Sequence, residues 1–556
     1  MMTNGPAPSS RISRSEWLLV LGVTLIMLAL TAVPYLLAYT TAQPGLVFMD
    51  TLMNPEDSQT YFAKMLQGYD GRWLYTIPFS PEPHDAAFVG VFYVWLGQLA
   101  RALEVSVTAV WHGSRVVAQV ILCFVTFWFV AQFSRSQNHR WTAYLLALSG
   151  SGLGWLLFLL GQPYWLDAFP VDFKQPGSHL FFTLLTYPHI ILATSLILLS
   201  VAFLARLAER PSWPLAVLTG FIHLALGIAY PFLLYLTALI AGLHYLALLW
   251  RERRILWLLG WQYAVAFLIP LPLYLYFAYT LRQNEIFRAW DVQAITPSAP
   301  WPHYLAAYAP FLLFGGLYAW KRRQERPSTL ILWLWVLAAG LLLYAPLNPQ
   351  RRFVQGVHVP LSILAAGGLV LVVLPWLMGT RPFRALLSHE RYSVTGLSRF
   401  IIVLFLLMMG LSNLYLFTSV TTSAVIQQPD LLFRPEDELE AVAWLRAEND
   451  RTAPETAVVL GEYQTGNLVA ARAGNQVLVG HWAETIDYDN KLAEAAQFYD
   501  EQTGDAWRQA LLKKYGIQYV WHGPREQALG TFQPETAVYL RPVYQNETIT
   551  IYTFSE

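Results

Sequence analysis

Six carboxylates gather in one polar stretch, residues 42–85, of a chain that is apolar on both sides of it. A carboxylate held at a membrane surface can act as a general base, because it accepts the proton of an attacking hydroxyl group. Asp57 is the strongest candidate, since it lies at the start of a predicted interfacial helix, residues 55–68. Asp50 is the second candidate for the base. The alternative is that Asp50 has a structural role in a turn or at a helix start. The six are Asp50, Glu56, Asp57, Asp70, Glu82 and Asp85.

The pair Arg351 and Arg352 is the second chemical feature of the chain. It lies in a tight turn, residues 348–353, between two apolar runs. The turn is predicted on the outer side of the membrane, where Arg and Lys are usually scarce. Guanidinium groups match phosphate oxygens through two parallel hydrogen bonds, so the pair could bind the phosphate of a donor. The alternative is that both side chains extend to lipid headgroups.

A second acidic loop, residues 161–179, carries Asp167 and Asp172 and leads to His189. Two acids from separate loops could share a divalent metal, Mg²⁺ or Mn²⁺, or divide the base and metal-binding roles between them. Asp172 is therefore a third candidate catalytic residue, and Asp167 and His189 are candidates for metal or substrate binding. The alternatives are a solvated loop acid for each aspartate and a structural role for the histidine.

A further candidate site lies in the C-terminal tail, where His481, Trp482 and Glu484 follow a predicted strand. Loops at the ends of strands often carry binding residues. These three side chains are candidates for contact with an acceptor substrate.

The composition restricts the class of protein that must position these residues. Of the 556 residues, 55% are hydrophobic and only 13% are charged, and the mean hydropathy is +0.39. These values are typical of polytopic membrane proteins and exclude an ordinary soluble protein. The formal net charge is zero, which gives no support for a nucleic-acid partner. A single cysteine, Cys123, excludes an intrachain disulfide.

Apolar runs of about twenty residues are long enough to cross a hydrocarbon core as helices, and about eleven are predicted. Basic residues follow alternate runs, which places the N-terminus inside and the C-terminal tail outside the cytoplasmic membrane. The predicted spans are residues 17–39, 110–133, 141–160, 181–204, 214–230, 232–250, 255–279, 304–320, 330–346, 357–377 and 401–420. The basic residues include Arg135, Arg140, Arg206, Arg210, Arg251, Arg253, Arg254, Lys321, Arg322, Arg323, Arg381 and Arg384.

Three segments follow from this pattern: a cytoplasmic tail at residues 1–16, a membrane domain at 17–420 and an outer domain at 421–556. Residues 86–103 are short and interrupted by polar side chains, so they are predicted as a second interfacial or half-buried helix. Alternating strands and helices in the tail predict a small soluble α/β domain. Its predicted helices are 437–448, 489–499 and 505–515, and its predicted strands are 456–460, 476–480, 518–521, 538–544 and 548–554.

Three motifs resemble the GT-C glycosyltransferases, which include protein O-mannosyltransferases and aminoarabinose transferases. Residues 54–61 (NPEDSQTY) are similar to the family's first-loop acid followed by an aromatic residue. Asp172 through Pro188 and His189 look like the second acidic loop of uncharacterised bacterial members, and residues 479–485 (VGHWAET) resemble their outer domain. Two features depart from the family: no Trp-Trp-Asp motif of oligosaccharyltransferases is present, and no histidine precedes Tyr230.

The resemblance implies an inverting glycosyltransferase that takes a sugar from a polyprenyl-phosphate donor in the bilayer. The reaction would occur on the outer face of the cytoplasmic membrane, with Asp57 as the base and a lipid, glycan or protein as the acceptor. The missing Trp-Trp-Asp motif disfavours transfer of a whole glycan to asparagine. Two alternatives stay open: a transporter or flippase for an amphipathic substrate, and an assembly protein whose outer domain binds a partner. Acids in loops rather than in spans, and the lack of matching halves, favour the enzyme.

Overall fold

The structure is a computed structural model that describes residues 12–134, 136–322, 326–452 and 457–555. Residues 1–11 of the predicted N-terminal tail lie outside the described residues, as do Arg135, Arg323 and position 456 of a predicted strand.

Helices dominate the described chain, and they follow one another with short connections. The helices up to residue 293 are α1 (Arg14–Thr40), α2 (Pro55–Tyr69), α3 (Val91–Leu103), α4 (Val107–Phe133), α5 (Gln137–Ser149), α6 (Gly154–Leu159), α7 (Val171–Lys174), α8 (Leu180–Leu184), α9 (Pro188–Glu209), α10 (Trp213–Ala229), α11 (Leu233–Glu252), α12 (Trp257–Leu268), α13 (Leu271–Gln283) and α14 (Glu285–Gln293).

The remaining helices lead from the apolar segments into the tail, which also holds most of the strands. These helices are α15 (Trp301–Lys321), α16 (Arg326–Leu342), α17 (His358–Gly368), α18 (Leu374–Met378), α19 (Arg381–Leu387), α20 (Val394–Met409), α21 (Leu411–Thr422), α22 (Glu436–Thr452), α23 (Tyr463–Arg472), α24 (Tyr488–Tyr499), α25 (Asp505–Tyr515) and α26 (Pro524–Gln527). The strands are β1 (Leu46–Phe48), β2 (Phe433–Pro435), β3 (Val458–Leu460), β4 (Gln476–Val477), β5 (Ile517–His522), β6 (Leu540–Gln545) and β7 (Thr550–Phe554).

Among the described residues, five helical segments are long and apolar enough to cross a membrane: α1, α4, α9, α11 and the segment Gln350–Met378, which includes α17 and α18. Two bent pairs raise the number to seven if each pair is one span: α12 with α13 at 45°, and α20 with the following helix at 47°. This number is smaller than the eleven predicted. The reason is that several predicted spans form short or bent helices, such as α10 with 17 residues.

Contacts divide the chain into two compact units. The first unit comprises Met1–Ala32, Arg115–Tyr274 and Thr296–Val420, and it contains most of the apolar helices. The second unit comprises Val33–Ser114, Leu275–Ile295 and Thr421–Glu556, and it therefore contains both the acidic first loop and the predicted outer domain.

In the first unit, the predicted span at residues 141–160 is not one helix, and the prediction was wrong on this point. It breaks between α5 and α6 at Gly150, Ser151 and Gly152. The Ser151 amide donates to the carbonyl of Met409 and not to a carbonyl of α5, so the hydrogen-bond pattern of α5 does not continue. A side chain at Gly152 would meet the Ala307 backbone at 2.4 Å, so the break also allows a close approach of two chain segments.

In the second unit, the first loop and the tail form one structure. Strand β1 from the loop pairs antiparallel with β2 from the tail, with Val47 opposite Arg434. Helix α2, predicted at 55–68, is present and crosses α3 at two glycines. A Cβ atom at Gly68 would lie 1.9 Å from the Val94 carbonyl oxygen, and one at Gly97 would lie 1.9 Å from that of Met65. The two glycines therefore permit the backbone contact that holds α2 in place.

Helix α3 corresponds to the predicted half-buried helix at 86–103. It has 13 residues, which gives a length of about 20 Å, too short for a hydrocarbon core of about 30 Å. One face is buried, including Tyr93 and Val94, while Leu99 and Leu103 on other faces are exposed. This pattern is the one expected of a helix that lies at a surface rather than crossing a membrane.

The tail forms the α/β structure that its alternating pattern predicts. Its five-stranded sheet has the order β4-β3-β5-β7-β6, with β3 parallel to both β4 and β5 and the last three strands antiparallel. The predicted final hairpin is present as β6 and β7. The predicted strand at 476–480 is shorter than expected, because β4 pairs only at Gln476 and Val477 before the chain turns into the loop that carries His481.

Candidate active site

Asp57 lies in the first turn of α2, which begins because the local sequence favours a helix start. Pro55 occupies the first turn, where a missing amide hydrogen costs nothing. Glu56 and Asp57 follow it, and their negative charges are stabilised by the positive end of the helix dipole. The Asp57 side chain keeps 39% of its surface exposed, so a hydroxyl group from solution can reach it.

His481 contacts Asp57 from the tail. Its Nε2 atom lies 3.1 Å from Asp57 Oδ1, and its side chain is only 6% exposed. A tight turn fixes the histidine, because the Thr485 amide donates to the His481 carbonyl at 2.8 Å and the Thr485 hydroxyl accepts from the Gly480 amide at 3.0 Å. An imidazole N–H that donates to Asp57 orients the carboxylate and stabilises its negative charge.

A buried ion pair supports this arrangement from behind. Lys64 Nζ lies 2.7 Å from Glu484 Oε1, and the two side chains are 7% and 4% exposed. The Tyr75 hydroxyl donates to the other oxygen of Glu484, and the Lys64 ammonium group lies 4.2 Å from the centre of the Tyr75 ring. Burial, together with the adjacent Glu484 charge, holds the pKa of Tyr75 well above its ordinary value, so the phenol stays protonated as the donor. Glu484 therefore connects α2 to the loop of His481.

Asp50 has a different environment from Asp57. The whole residue is 9% exposed, and its carboxylate accepts hydrogen bonds from three side chains. The Tyr39 hydroxyl donates at 2.6 Å, the Thr108 hydroxyl at 3.0 Å and the Arg472 guanidinium at 2.9 Å. Such a carboxylate links distant parts of the second unit.

Three other acids of the first loop also contact the tail. Glu56 accepts from the Gln464 amide at 2.6 Å, Asp70 pairs with Arg446, and Glu82 pairs with Lys491. Each partner comes from residues 421–556, as do Arg472 and His481. Five of the six predicted loop acids thus bind basic or amide side chains of the tail, which explains why the loop can hold so many like charges.

The guanidinium pair lies in the first unit, in a short 3₁₀ helix, Gln350–Val354. The Arg352 guanidinium lies 5.7 Å from the centre of the Tyr230 ring and 5.6 Å from that of Phe232. Both rings therefore pack against the guanidinium group. The Arg351 amide donates to the Thr296 carbonyl at 3.2 Å, which fixes the turn.

His189 lies close to the same aromatic group. Its ring centre is 5.1 Å from that of Tyr230, and it is 4% exposed. Tyr230 therefore contacts both His189 and Arg352. The Tyr230-Pro231 turn therefore contacts two of the predicted site residues through the Tyr230 ring.

The second acidic loop is divided between a buried and an exposed aspartate. Asp172 is 3% exposed and accepts from the Gly154 amide at 2.9 Å and the Ser412 hydroxyl at 2.8 Å. It caps the start of α6, which is a structural arrangement. Asp167 is exposed and has a left-handed backbone with φ of 57°.

Comparison with solved structures identifies the fold. The oligosaccharyltransferase of Archaeoglobus fulgidus, tethered to an acceptor peptide with an NVT sequon, matches with a TM-score of 0.51 and 14% identity over 92% of this chain and 69% of its own. ArnT from Cupriavidus metallidurans, bound to undecaprenyl phosphate, matches with a TM-score of 0.50 and 14% identity over 97% of this chain and 98% of its own.

The chain has the GT-C fold. Its apolar helices and this fold make it an integral membrane protein. No family model and no curated protein sequence matches the chain.

The described residues contain no group of three or more His, Cys, Asp or Glu side chains that could hold a metal ion. Asp57 and His481 supply two potential ligands, but they bind each other.

Sequence reasoning missed the side chains that position the predicted acids. Lys64, Arg472 and Lys491 were not singled out, although each binds a predicted acid. One signal was available: six acids in a loop of a neutral chain need counter-charges, and the tail is the largest polar segment. That signal indicates a complementary surface but not the individual pairs.

Proposed function

We propose that this protein is a glycosyltransferase that moves a sugar from a polyprenyl-phosphate donor to a hydroxyl-bearing acceptor. The observation that supports it best is the shared fold over nearly the full length of ArnT, which was solved with undecaprenyl phosphate. The exposed Asp57 carboxylate, hydrogen-bonded to His481, adds a group suited to proton abstraction.

In the proposed reaction, Asp57 acts as the general base. The acceptor oxygen attacks the anomeric carbon, and its proton passes to the Asp57 carboxylate. The bond between the anomeric carbon and the phosphate oxygen breaks, and polyprenyl phosphate leaves with the bonding electrons. Attack from the side opposite the leaving group inverts the anomeric carbon. His481 keeps Asp57 oriented, which makes it a positioning residue.

Arg351 and Arg352 are proposed to bind the donor phosphate. The leaving phosphate gains negative charge as the bond breaks, and fixed guanidinium groups stabilise that charge more than water does. The rings of Tyr230 and Phe232 hold Arg352 in position before the donor arrives, so little reorganisation is needed. His189 packs against Tyr230, and it is proposed to act indirectly, through its contact with that ring.

The roles of the remaining predicted residues follow from their exposure. Trp482 is 36% exposed beside His481, and its ring could pack against the apolar face of an acceptor sugar. Glu484, Asp50 and Asp172 are buried and bonded, so we assign them supporting roles. Catalysis on the outer face of the cytoplasmic membrane rests on the distribution of basic residues in the sequence.

Transfer assays with the purified full chain and polyprenyl-phosphate sugars test the proposal. Asp57→Asn should insert and fold normally, because the amide keeps the size of the side chain. Its turnover should fall by about 10²–10⁴, the usual contribution of a general base. Asp85→Asn is the matched control, since Asp85 is an exposed acid of the same loop. Equal turnover in Asp57→Asn and wild type would refute the role of Asp57.

Movement of the intact donor lipid across vesicles without any transfer would instead support the flippase alternative. Fluorescently labelled polyprenyl-phosphate sugar in proteoliposomes measures both outcomes in one preparation. Release of free polyprenyl phosphate that depends on an added acceptor is the result expected of the enzyme.

A further inference from the structure

The side chain of Gln293, the last residue of α14, contacts the loop that carries His481. Its Nε2 atom lies 3.2 Å from the carbonyl oxygen of Trp482, 3.4 Å from that of Ala483 and 2.8 Å from that of Thr485. An amide NH2 group has two hydrogens, so it can donate to two of these oxygens at once. All of these residues belong to the second unit. The side chain therefore joins the end of a helix to the backbone of one tight turn.

Helix α14 is a firm support for this contact, because its start and its buried face are both fixed. The Asn284 side-chain oxygen accepts from the amides of Ile286 and Phe287 at 3.1 and 3.3 Å and so caps the first turn. The Asn284 side-chain amide donates to the Asp85 carbonyl at 3.1 Å. Phe287 is 1% exposed and belongs to the core of the second unit. Helix α14 thus connects the first loop, at its start, to the tail, at its end.

Other contacts hold the far side of the same turn. The Ser80 hydroxyl donates to the Glu484 carbonyl at 3.2 Å and accepts from the Ile486 amide at 2.7 Å. These bonds fix residues 484–486, whereas Gln293 reaches the two residues that directly follow His481. A carbonyl that loses its donor must find another partner, so removal of the Gln293 amide favours a rearrangement of this part of the turn.

The contact between His481 and Asp57 is sensitive to such a rearrangement. Their nearest nitrogen and oxygen atoms are 3.1 Å apart, close to the upper end of the usual range of about 2.7–3.2 Å. We propose that Gln293 is a positioning residue, which holds the turn so that His481 stays within hydrogen-bond reach of Asp57. Its importance for catalysis rests on the proposed function. Its effect on His481 does not, because the accessibility of that ring can be measured without any transfer.

The contact requires a hydrogen-bond donor, which allows a pair of opposed variants. Glutamate has nearly the shape of glutamine, but its ionised carboxylate only accepts hydrogen bonds and would face carbonyl oxygens. Lysine differs in shape but carries three N–H donors on a long side chain. Gln293→Glu should therefore disturb the turn, and Gln293→Lys should largely keep it. Gln283→Glu is the matched control, since Gln283 is an exposed glutamine at the end of α13 in the same unit.

Diethyl pyrocarbonate, which modifies accessible histidine rings, tests the position of His481 in the full chain in detergent. The reaction should be slow in wild type, because the side chain is only 6% exposed. Mass spectrometry should show modification about tenfold faster in Gln293→Glu, since local opening exposes the ring. Gln293→Lys and Gln283→Glu should stay close to wild type. His522, a second buried histidine of the tail, should react at the same rate in all four proteins.

Equal reactivity of His481 in wild type and Gln293→Glu would overturn the inference. Faster modification of both histidines would also overturn it, because it would show a general loosening of the tail rather than movement of one turn. A rate in Gln293→Lys as high as in Gln293→Glu would show that the donor is not what matters.

Transfer kinetics test the consequence for the proposed base. The kcat of Gln293→Glu should fall about tenfold with the KM for the donor unchanged, because a small displacement at the reacting groups slows the chemical step. The acidic limb of its pH–rate profile should move to higher pH, since the carboxylate loses a hydrogen bond that favours its charged form. Gln293→Lys should reverse most of both changes. A higher KM with an unchanged kcat would contradict the positioning role.

Failure of the base and failure of this inference are distinguishable. Full turnover in Asp57→Asn would refute the base, and the reactivity of His481 in Gln293→Glu would still decide whether Gln293 holds the turn. Loss of turnover in Asp57→Asn, with unchanged kcat and unchanged His481 reactivity in Gln293→Glu, would refute the role of Gln293 alone.

Discussion

The ion pair between Lys64 and Glu484 gives a quantitative test of how the loop and the tail are held together. The two side chains are 7% and 4% exposed, so solvent screens their interaction little. Lys64→Met keeps most of the side-chain volume, but it removes the cation that pairs with Glu484 and leaves that carboxylate its hydrogen bond from the Tyr75 hydroxyl. Breaking a buried pair in this way usually costs about 3–5 kcal/mol of folding free energy.

We therefore expect Lys64→Met to lower the free energy of unfolding by about 3–5 kcal/mol. For a unit of this size, the midpoint of thermal unfolding should fall by roughly 6–20 °C.

The double variant Lys64→Met/Glu484→Gln removes both charges and keeps an acceptor for Tyr75. It should recover most of the stability, to within about 1 kcal/mol of wild type. The assay is thermal unfolding of wild type, Lys64→Met, Glu484→Gln and the double variant in detergent. Losses that add in the double variant would refute the reasoning, because they would show that the buried Glu484 charge does not depend on Lys64.

Two further predictions follow from the contacts of single residues. Arg352→Lys should raise the KM for the donor about tenfold, with a smaller effect on folding. The reason is that lysine cannot form two parallel hydrogen bonds to a phosphate and loses the packing of the guanidinium group on the Tyr230 ring. An unchanged KM would exclude a phosphate-binding role for Arg352. Burial raises the pKa of Glu526 from 4.5 to about 7, so the folded protein holds a proton that the unfolded chain releases between these values. The resulting stability, on the order of 3 kcal/mol, is present below pH 4.5 and is lost as the pH rises through about 7. Glu526→Gln should flatten the dependence of the unfolding temperature between pH 5 and 8, and an unchanged slope would contradict it.

Much of the architecture followed from the sequence because it depends on local patterns. Helix α2 was predicted at 55–68 and spans Pro55–Tyr69, and α25 was predicted at 505–515 and spans Asp505–Tyr515. The GT-C resemblance was also confirmed as the fold. The break within residues 141–160 was missed, because its cause is a tertiary contact of Ser151 with Met409 rather than a feature of the apolar pattern.

The site was predicted less completely than the fold. Asp50 and Asp57 looked alike in sequence, since both are acids of the first loop. In the structure, Asp50 is enclosed by three donors while Asp57 keeps an exposed carboxylate beside His481. The catalytic roles of both stay predictions, but the difference in exposure favours Asp57 as the base.

The amino-acid sequence by itself determined which segments are apolar, where the acids collect and that the tail alternates strands with helices, because each depends on residues close together in the chain. Only the tertiary structure decided which acid is buried and which is exposed. The Asp57–His481 and Lys64–Glu484 contacts join residues more than four hundred positions apart. No local pattern encodes such pairs, since they form only when packing brings the first loop and the tail together.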